Sequence, residues 1–360
     1  MMKKKSLRLL LLLSGVLAIS CRTPVGHMPQ GDAGKGAAAG NAYARFFELG
    51  ENFIVSISPG DGFRDTLMLD GALPRGVICM SSTEAAMFSA IGQDKLVTGM
   101  SGLKYLNDKT IASHAIEVGH DMDMNYENIL GLQAEGRASL VLAYGIEGSR
   151  PSYAERLEKA GLRVFCLYDH LEDHPLARSE YIKVVGAVCG RLADACMLFD
   201  TVAERYDSLC ASQSCIDDSL RCKVLMNAPY GDSWYIPGNQ GYMSQLVRDA
   251  GGLVLGAREG TALSVSVSIE EAWLLASEAD VWLNPGTASS RGEMNAIWPV
   301  LSAFPDIPVW NNTARLNSAG GNDFWESGAL RPDLILEDLI SIFSNPAGNT
   351  AGLLNFYRGL

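Results

Sequence analysis

The feature that most constrains this 360-residue sequence is a strand–helix alternation that breaks once and then resumes. Apolar runs of strand length alternate with helical patterns over residues 76–168, and the same rhythm returns over 224–343. Between them, residues 178–209 contain no proline and carry apolar side chains at three- and four-residue steps, which predicts one long helix. Strands that alternate with helices predict mainly parallel sheets. The sequence therefore predicts an α/β fold of two lobes joined by a single long helix, with a ligand cleft between the lobes.

The two predicted lobes span residues 46–177 and 210–360. In the first lobe we expect strands at 76–80, 96–98, 140–144 and 164–168, and helices from Ala85 to the stop at Gly92 and over 153–160. In the second lobe we expect strands at 224–226, 281–283 and 308–310, and helices at 242–250, 269–276 and 333–343.

A basic and then apolar segment opens the chain. Three lysines at positions 3–5 precede an apolar run that ends in Ala18-Ile19-Ser20-Cys21. This order predicts a secretory signal peptide over residues 1–20, too short for a comfortable membrane span. Small residues before a cysteine resemble a bacterial lipobox, which implies that Cys21 is lipidated, although Ala18 stands where leucine is usual. The alternative is an ordinary signal peptide with a coincidental cysteine.

Residues 21–45 are predicted to form a flexible tether, because glycine and alanine dominate much of this segment. Cleavage before Cys21 would leave 340 residues, a length typical of two domains. It would also lower the formal net charge from −12 to −16, because four basic residues and no acidic ones leave with the signal. Such an acidic surface opposes nucleic acid and anionic lipid, and it suits a basic docking partner, although solubility alone would also explain it.

Seven cysteines remain after the lipobox, and no CxxC pair occurs, which argues against a zinc ribbon or a thioredoxin-like site. Cys79 and Cys166 lie in apolar strand-like runs and are predicted to be buried. Cys210, Cys215 and Cys222 cluster, and two of them could form one disulfide whose pairing the sequence leaves open.

Four segments carry a resemblance to a known family: Met80-Ser81-Ser82-Thr83-Glu84-Ala85-Ala86, the stretch from Asn227 to Gly238, Trp282-Leu283-Asn284-Pro285-Gly286-Thr287, and the stretch from Gly320 to Gly328. They resemble the metal-chelate substrate-binding proteins of ABC importers, in the form found in lipoproteins of Bacteroidetes-type bacteria. The resemblance covers the chain from about Val77 to Leu360. It implies a class III periplasmic binding protein fold, a lipid-anchored position facing the periplasm, no enzyme activity and no cofactor of its own.

The same resemblance implies the cargo and the partner. The cargo would be a metal chelate. A ferric siderophore or another iron complex is the first expectation, and haem and cobalamin are the other ligands that members of this family bind. The partner would be an ABC permease–ATPase complex, which in this family meets one glutamate on each lobe. Glu84 and Glu270 match those positions. From the residues alone, Glu84 could instead complete a capping box, and Glu270 could be a first-turn acid favoured by the helix dipole.

Six side chains at predicted strand ends or in glycine-rich loops are candidates for the ligand site, because loops after parallel strands face the crevice. Aromatic faces suit a macrocycle or an aromatic chelate, and an arginine suits its carboxylates. Trp234 could instead pack the second lobe against the connecting helix, and Arg315 could form a salt bridge within its own loop. The candidates are Tyr144, Tyr230, Trp234, Tyr235, Arg315 and Trp325.

The histidines His170 and His174 have the spacing of two metal ligands on a helix, but Pro175 follows and two ligands are too few, so no metal site is predicted. The chain has no G-x-S-x-G or HExxH signature. Two other functions remain as alternatives: an envelope enzyme on the same α/β frame, and an uptake accessory that binds free metal ions.

Overall fold

The first sheet of the protein was not predicted from the sequence. A computed structural model describes residues 40–348 and 354–360, so the predicted signal peptide, Cys21 and most of the tether lie outside the described residues. Strands β1 (Phe47–Leu49), β2 (Phe53–Ile57) and β3 (Arg64–Met68) form an antiparallel sheet in the order β1-β2-β3. This small sheet precedes the first predicted strand.

The last residues of the predicted tether are held by buried carboxylates. Glu180 accepts hydrogen bonds from the backbone N–H groups of Ala42, Tyr43 and Ala44 at 2.7–2.8 Å. Glu172 accepts two more, from the next two residues of the chain. The tether predicted to reach residue 45 therefore ends earlier, because its last residues are fixed to the body of the protein.

The first lobe contains a five-stranded sheet in the order β10-β9-β4-β5-β6, and every pair in it is parallel. Its strands are β4 (Val77–Cys79), β5 (Val97–Met100), β6 (Ile116–Glu117), β9 (Leu140–Tyr144) and β10 (Arg163–Leu167), and a hairpin of β7 (Gly119–His120) and β8 (Asp123–Met124) follows β6. Its helices are α1 (Ser82–Ala90), α2 (Lys109–Ala112), α3 (Tyr126–Ala134) and α4 (Ala154–Lys159). The parallel sheet predicted from the alternation is confirmed.

The connection between the lobes is a long helix, but the prediction of one unbroken helix over 178–209 is wrong. The segment divides into α5 (Pro175–Glu180), α6 (Ile182–Val188) and α7 (Leu192–Gln213). The break before α7 lies at Gly190, whose φ of +64° is the left-handed conformation that ends helices. The apolar periodicity continues across the break because α6 and α7 pack against the same core.

The second lobe repeats the arrangement of the first. Its main sheet has the order β14-β11-β16-β17-β18, parallel except for the edge strand β18. The main strands are β11 (Cys222–Met226), β14 (Gly252–Val254), β16 (Val281–Leu283), β17 (Val309–Asn311) and β18 (Arg358–Gly359), and a small antiparallel sheet holds β12 (Pro229–Tyr230), β13 (Ser233–Ile236) and β15 (Val265–Val267). The helices are α8 (Tyr242–Asp249), α9 (Ile269–Glu278), α10 (Arg291–Ile297) and α11 (Pro332–Ser344).

The lobes also touch directly through the segment 315–331, which belongs to the second lobe. The Thr83 hydroxyl donates to the carbonyl oxygen of Trp325 at 2.7 Å. The Glu326 carboxylate accepts from the backbone N–H groups of Asn107 and Asp108 at 2.8 and 2.9 Å. These bonds fix the lobes against each other in addition to α7, so we expect only a small closing motion.

None of the helices within residues 40–348 is long and apolar enough to cross a membrane. The seven cysteines after Cys21 are all free thiols in the structure. Cys79 and Cys166 are buried, as predicted. Cys210, Cys215 and Cys222 are among these free thiols, so the structure contains none of the disulfides considered for the 210–222 cluster.

Candidate ligand-binding cleft

A cavity of about 400 Å³ lies where four parallel strands of the first lobe end. The turns after β4, β5 and β10 and the end of β9 supply most of its wall, and α5 supplies one arginine. This is the edge at which open α/β sheets bind ligands. The lining residues are Met80, Ser81, Ser82, Thr83, Ser101, Gly102, Tyr105, Tyr144, Asp169, His170 and Arg178.

One arginine, Arg178, lines this cleft. Arg178 Nε is 3.2 Å from Asp169 Oδ2, and the two side chains are only 12% and 4% exposed. The guanidinium carbon lies 5.5 Å from the ring centroid of Tyr242 and 5.9 Å from that of Trp325. A cation close to aromatic rings is attracted to them. Arg178 therefore lies next to an acidic side chain of the first lobe and to two aromatic side chains of the second lobe.

Tyr144 and His170 form the aromatic side of the cleft. Their rings meet edge to face, with centroids 5.8 Å apart. Burial raises the pKa of the Tyr144 hydroxyl, and the charges of Asp121 and Glu84 act in the same direction. Burial lowers the pKa of His170, although the Asp169 carboxylate opposes this shift. At neutral pH the cleft therefore presents two uncharged rings to a ligand, the phenol of Tyr144 and the imidazole of His170.

Glu84 does not lie on the surface, and its predicted docking role is wrong for the described conformation. Its side chain is completely buried. One carboxylate oxygen accepts from the backbone N–H groups of Met80 and Ser81 at 2.9 and 3.1 Å, and the Ser81 hydroxyl accepts from the Glu84 N–H. This is a complete capping box at the start of α1. Burial, followed by the nearby charge of Asp169, raises the pKa of Glu84 to about 8.

Glu270 is exposed in the first turn of α9. The N-cap of this helix is Ser268, whose hydroxyl accepts from the backbone N–H of Glu271 at 3.1 Å. Glu270 takes no part in that cap, so its carboxylate stays free to meet a partner. Its docking role stays a prediction.

Trp234 is a packing residue, and its predicted place in a loop facing the ligand is wrong. It belongs to β13 and is fully buried. Its indole N–H donates to the carbonyl oxygen of Met226 at 2.7 Å, and its ring stacks on Phe304 with centroids 5.5 Å apart. Trp282 completes this aromatic stack. The indole therefore stabilises the core of the second lobe.

Tyr230 and Tyr235 lie on the β12–β13 hairpin, both exposed, with their rings 6.5 Å apart. Neither lines the 400 Å³ cavity. Trp325 is also exposed, but it lies close to Arg178 as described above. Of the three, only Trp325 is thus placed next to the candidate cleft.

Arg315 lines a different cavity, of about 680 Å³, together with Phe199 and Val202 of the connecting helix. Its guanidinium lies 3.2 Å from Asp323 and 4.6 Å from the ring centroid of Phe356. The alternative of a salt bridge within its own loop is therefore correct. The 680 Å³ cavity also lies between the lobes, because Ser89 and Asn107 of the first lobe line it, but it shares no lining residue with the 400 Å³ cavity. A ligand-binding role for Arg315 stays a prediction.

The two histidines with helical spacing point to different tasks. His170 lines the cleft, whereas His174 is the N-cap of α5, where its Nδ1 accepts from the Leu176 N–H at 3.1 Å. The His174 ring stacks on Tyr43, 5.1 Å away. Over residues 40–348 and 354–360, no group of three histidine, cysteine or acidic side chains is placed to hold a metal ion.

Three residues that line the cleft, Arg178, Asp169 and Tyr105, are not among the candidates predicted from the sequence, and neither is Tyr242, which lies beside Arg178. Arg178 was placed at the start of the connecting helix, and nothing in its neighbourhood shows that it lies under the ends of β4 and β10. Asp169 directly follows a predicted strand that ends at 168. That position is the one signal that could have pointed to the cleft.

Comparison with known proteins gives a fold but not a named family. No family model matches the sequence. An uncharacterized lipoprotein of Methanocaldococcus jannaschii is 25% identical over 300 residues, which is 79% of this chain and 67% of that protein.

Solved structures of periplasmic binding proteins share the fold. A periplasmic heme-binding protein from Pseudomonas aeruginosa matches with a TM-score of 0.57 and 18% identity, over 80% of this chain and 98% of that one. The heme-binding protein RhuT from Roseiflexus sp. RS-1 matches with 0.55 and 17%, over 76% and 99%. An ABC-type Fe3+-hydroxamate transport protein from Saccharomonospora viridis matches with 0.52 and 18%, over 80% and 97%. The chain has the class III periplasmic binding protein fold.

Proposed function

We propose that this protein is a lipid-anchored, periplasm-facing substrate-binding protein that captures a metal chelate and delivers it to an ABC permease. The observation that carries the proposal is the cleft, in which Arg178 lies between the strand ends of one lobe and the aromatic rings of the other. The fold shared with periplasmic heme- and Fe3+-hydroxamate-binding proteins supports it. Capture and release require no reaction at this site.

The side chains of the cleft define the cargo we propose. Tyr105, Tyr144 and Trp325 offer flat apolar faces for a ring-bearing ligand. Arg178 offers the fork of donors that binds a carboxylate or another oxyanion. The cargo is therefore an iron chelate with aromatic or macrocyclic rings and at least one anionic group, such as a ferric siderophore or haem, with cobalamin as a further candidate.

The space available extends beyond the cleft cavity itself. A second cavity, of about 720 Å³, shares Gly102 and Tyr105 with it and reaches the β7–β8 hairpin. Lys104 and His120 line this extension. The combined volume exceeds that of a typical drug-sized site, which suits a bulky chelate better than a bare metal ion.

Delivery of the chelate requires a membrane anchor and a surface that contacts the permease. We propose that lipid on Cys21 holds the protein at the membrane and that Glu270 contributes to contact with the permease. Glu84 is left out of the dock because it is buried in its capping box. The similar protein from Methanocaldococcus jannaschii is named an uncharacterized lipoprotein, which supports the proposed lipid anchor.

The proposal is tested by titrating haem, a ferric hydroxamate siderophore and an anionic ferric siderophore into the purified protein while following tryptophan fluorescence. We expect at least one chelate to bind with a Kd below about 1 μM and to quench the signal. If none of the chelates binds, the proposed function is wrong.

A pair of charge-matched variants locates the site. Arg178→Gln with Asp169→Asn removes the buried ion pair without leaving one charge alone, and it should weaken binding by about tenfold or more, roughly 1.4 kcal/mol. Arg315→Gln is the matched control, because Arg315 is also paired with an aspartate at 3.2 Å but lines the other cavity. If the Arg178→Gln, Asp169→Asn variant binds the chelate as tightly as the Arg315→Gln variant does, the chelate does not bind at Arg178.

A further inference from the structure

The carboxyl group of Glu84 lies directly behind the wall of the cleft, and only one of its two oxygens is bonded. Oε2 accepts from the backbone N–H groups of Met80 and Ser81, and both of these residues line the cleft. Oε1 is buried and has no hydrogen-bond partner among residues 40–348 and 354–360. A buried oxygen that carried full charge without a partner would be costly. The geometry therefore suits a carboxyl group that keeps a proton on Oε1.

A second buried carboxylate lies close to the first. Asp169 lines the cleft, and its negative charge acts on Glu84. The guanidinium of Arg178 is paired with Asp169 at 3.2 Å, so it neutralises one of the two acids. Two carboxylates that share a buried site resist ionising together. A proton on Glu84 therefore keeps the group of Glu84, Asp169 and Arg178 electrically neutral.

Glu84 forms no ion pair with any basic side chain of residues 40–348 and 354–360. The elements that pack against α1 include β4, β5, α6 and residues 94–96 and 327–330. Lys183 of α6 is paired with Glu180 at 2.7 Å. Asp94 and Lys95 follow the far end of α1, and β5 and residues 327–330 contain no titratable side chain. Arg178 is thus the cation that anions in this region share.

The other titratable groups around Glu84 are thiols, phenols and one acid. Burial raises the pKa of each thiol and phenol among them above its ordinary value, so these groups keep their protons from neutral to mildly alkaline pH. The acid, Asp121, acts on the two phenols. The groups are Cys79, Cys166, Cys189, Tyr144, Tyr153 and Asp121.

An anionic ligand would change the proton affinity of Glu84. A negative group bound at Arg178 adds charge beside Asp169 and disfavours ionisation of Glu84. Coupling between two binding events is reciprocal, so a proton on Glu84 must strengthen binding of the anion by the same factor. Burial and the charge of Asp169 raise the pKa of Glu84 to about 8, which places this coupling in the mildly alkaline range.

We propose that the cleft captures a negatively charged iron chelate together with a proton on Glu84, and that ionisation of Glu84 weakens the hold on the chelate. This inference rests on the proposed function and names the regulation of the same site. The proton comes from the solvent and resides on Oε1, because Oε2 already accepts two N–H groups. An uncharged chelate gains nothing from this proton, so the device favours anionic cargo under neutral conditions.

Proton uptake on binding tests the inference. Calorimetric titrations of an anionic ferric catecholate are run near pH 8, where Glu84 is about half protonated, in two buffers with different heats of ionisation. We expect an uptake of about 0.3–0.5 proton per chelate, and an affinity that falls about fivefold between about pH 7 and about pH 9. An uncharged ferric hydroxamate should take up less than about 0.1 proton.

Two variants assign the proton. Glu84→Gln keeps an oxygen acceptor and cannot ionise, so its proton uptake should vanish and its affinity should be the same at both pH values. Asp338→Asn is the matched control and should keep the proton uptake of the unaltered protein. Asp338 is also a buried carboxylate that accepts from backbone N–H groups, and burial raises its pKa, but it lies in α11 of the second lobe.

The outcomes separate this inference from the proposed function. An anionic chelate that binds without proton uptake, or with the same uptake by Glu84→Gln, overturns the role of Glu84 and leaves the proposed function standing. The same holds if only the uncharged chelate binds. A lower affinity of Glu84→Gln with an unchanged pH dependence shows a purely structural role and also overturns the inference. If no chelate binds at either pH, the proposed function itself fails.

Discussion

The starts of helices α1 and α9 look alike in sequence and differ in structure. Each begins after a serine N-cap and carries a glutamate in its first turn, Glu84 in α1 and Glu270 in α9. Glu84 is completely buried, whereas Glu270 is exposed. The two acids are predicted to form matched halves of one docking surface, but the structure buries one in a capping box and leaves the other exposed.

The position relative to the cap explains the difference. Glu84 is the third residue after its N-cap Ser81, from where a carboxylate can reach back to the free N–H groups before the helix. Glu270 is only the second residue after Ser268, and it is exposed and takes no part in the cap. A shift of one residue therefore decides whether the same acid stabilises a helix start or remains available to a partner.

The largest effect is expected where an aromatic residue predicted to face the ligand cleft is buried in the core. Trp234→Ala should lower the free energy of unfolding by about 3–5 kcal/mol, because it empties the centre of the Phe304–Trp282 stack. The chelate affinity of the folded protein should stay unchanged. Urea unfolding and a titration on the same samples measure both. Lost affinity with unchanged stability would return Trp234 to the ligand site.

The next effect compares the two acids directly. Glu84→Ala leaves the Ser81 N–H without an acceptor, whereas the Met80 N–H keeps the Leu142 carbonyl oxygen at 3.1 Å, so the free energy of unfolding should fall by about 2 kcal/mol. Glu270→Ala should change it by less than about 0.5 kcal/mol, since exposed side chains away from caps contribute little. Chemical denaturation of both variants makes the comparison, and equal losses would contradict the difference in burial.

A pH profile sharpens the role of Glu84 further. Its pKa in the folded protein is raised to about 8 from 4.5, so between these values the folded state binds more protons than the unfolded state. Stability from this group is therefore present at low pH and is lost as the pH rises, by about 2 kcal/mol between pH 5 and pH 7.

Glu84→Gln keeps one oxygen acceptor and cannot ionise, so that part of the pH dependence should disappear in the variant. The comparison is made by denaturation at a series of pH values. Parallel profiles for the variant and the unaltered protein would show that Glu84 is ionised in the folded state.

The smallest effect on the folded body is expected at Cys21. Cys21→Ser should release the protein from membranes and leave its melting temperature within about 1 °C of the original, because Cys21 precedes residue 40, where the described part of the chain begins. Fractionation of cells and thermal unfolding of the released protein measure the two parts. A variant that stays in the membrane fraction would reveal a different anchor.

Most helices and strands could be predicted from the sequence, because the spacing of apolar residues indicates which faces of a helix or strand are buried. The strands at Leu140–Tyr144 and Val281–Leu283 and the helix at Pro332–Ser344 match the predicted segments closely. The small antiparallel strands were missed because they are short and half exposed, as in β3, and carry little apolar signal. The broken helix before α7 was missed because packing on both sides of Gly190 preserves the period.

The site was less accessible, because it depends on contacts between distant parts of the chain. Tyr144 and Trp325 were assigned from strand ends and glycine-rich loops, and they lie in or beside the cleft. Arg178 was not found, since its task comes from Asp169 and from rings of the other lobe. Trp234 was assigned to the ligand site although it is buried in a strand. Glycine and proline flank its segment, and composition alone does not distinguish such a strand from a loop.

Native mass spectrometry of the protein purified from its own cells tests the central claim most directly. The account predicts that the unaltered protein and Arg315→Gln carry an additional mass equal to that of an iron chelate, and that the Arg178→Gln, Asp169→Asn pair has lost it. An unaltered protein that stays bare after exposure to haem and ferric siderophores, or a chelate retained in full by the Arg178→Gln, Asp169→Asn pair, would contradict binding in the cleft.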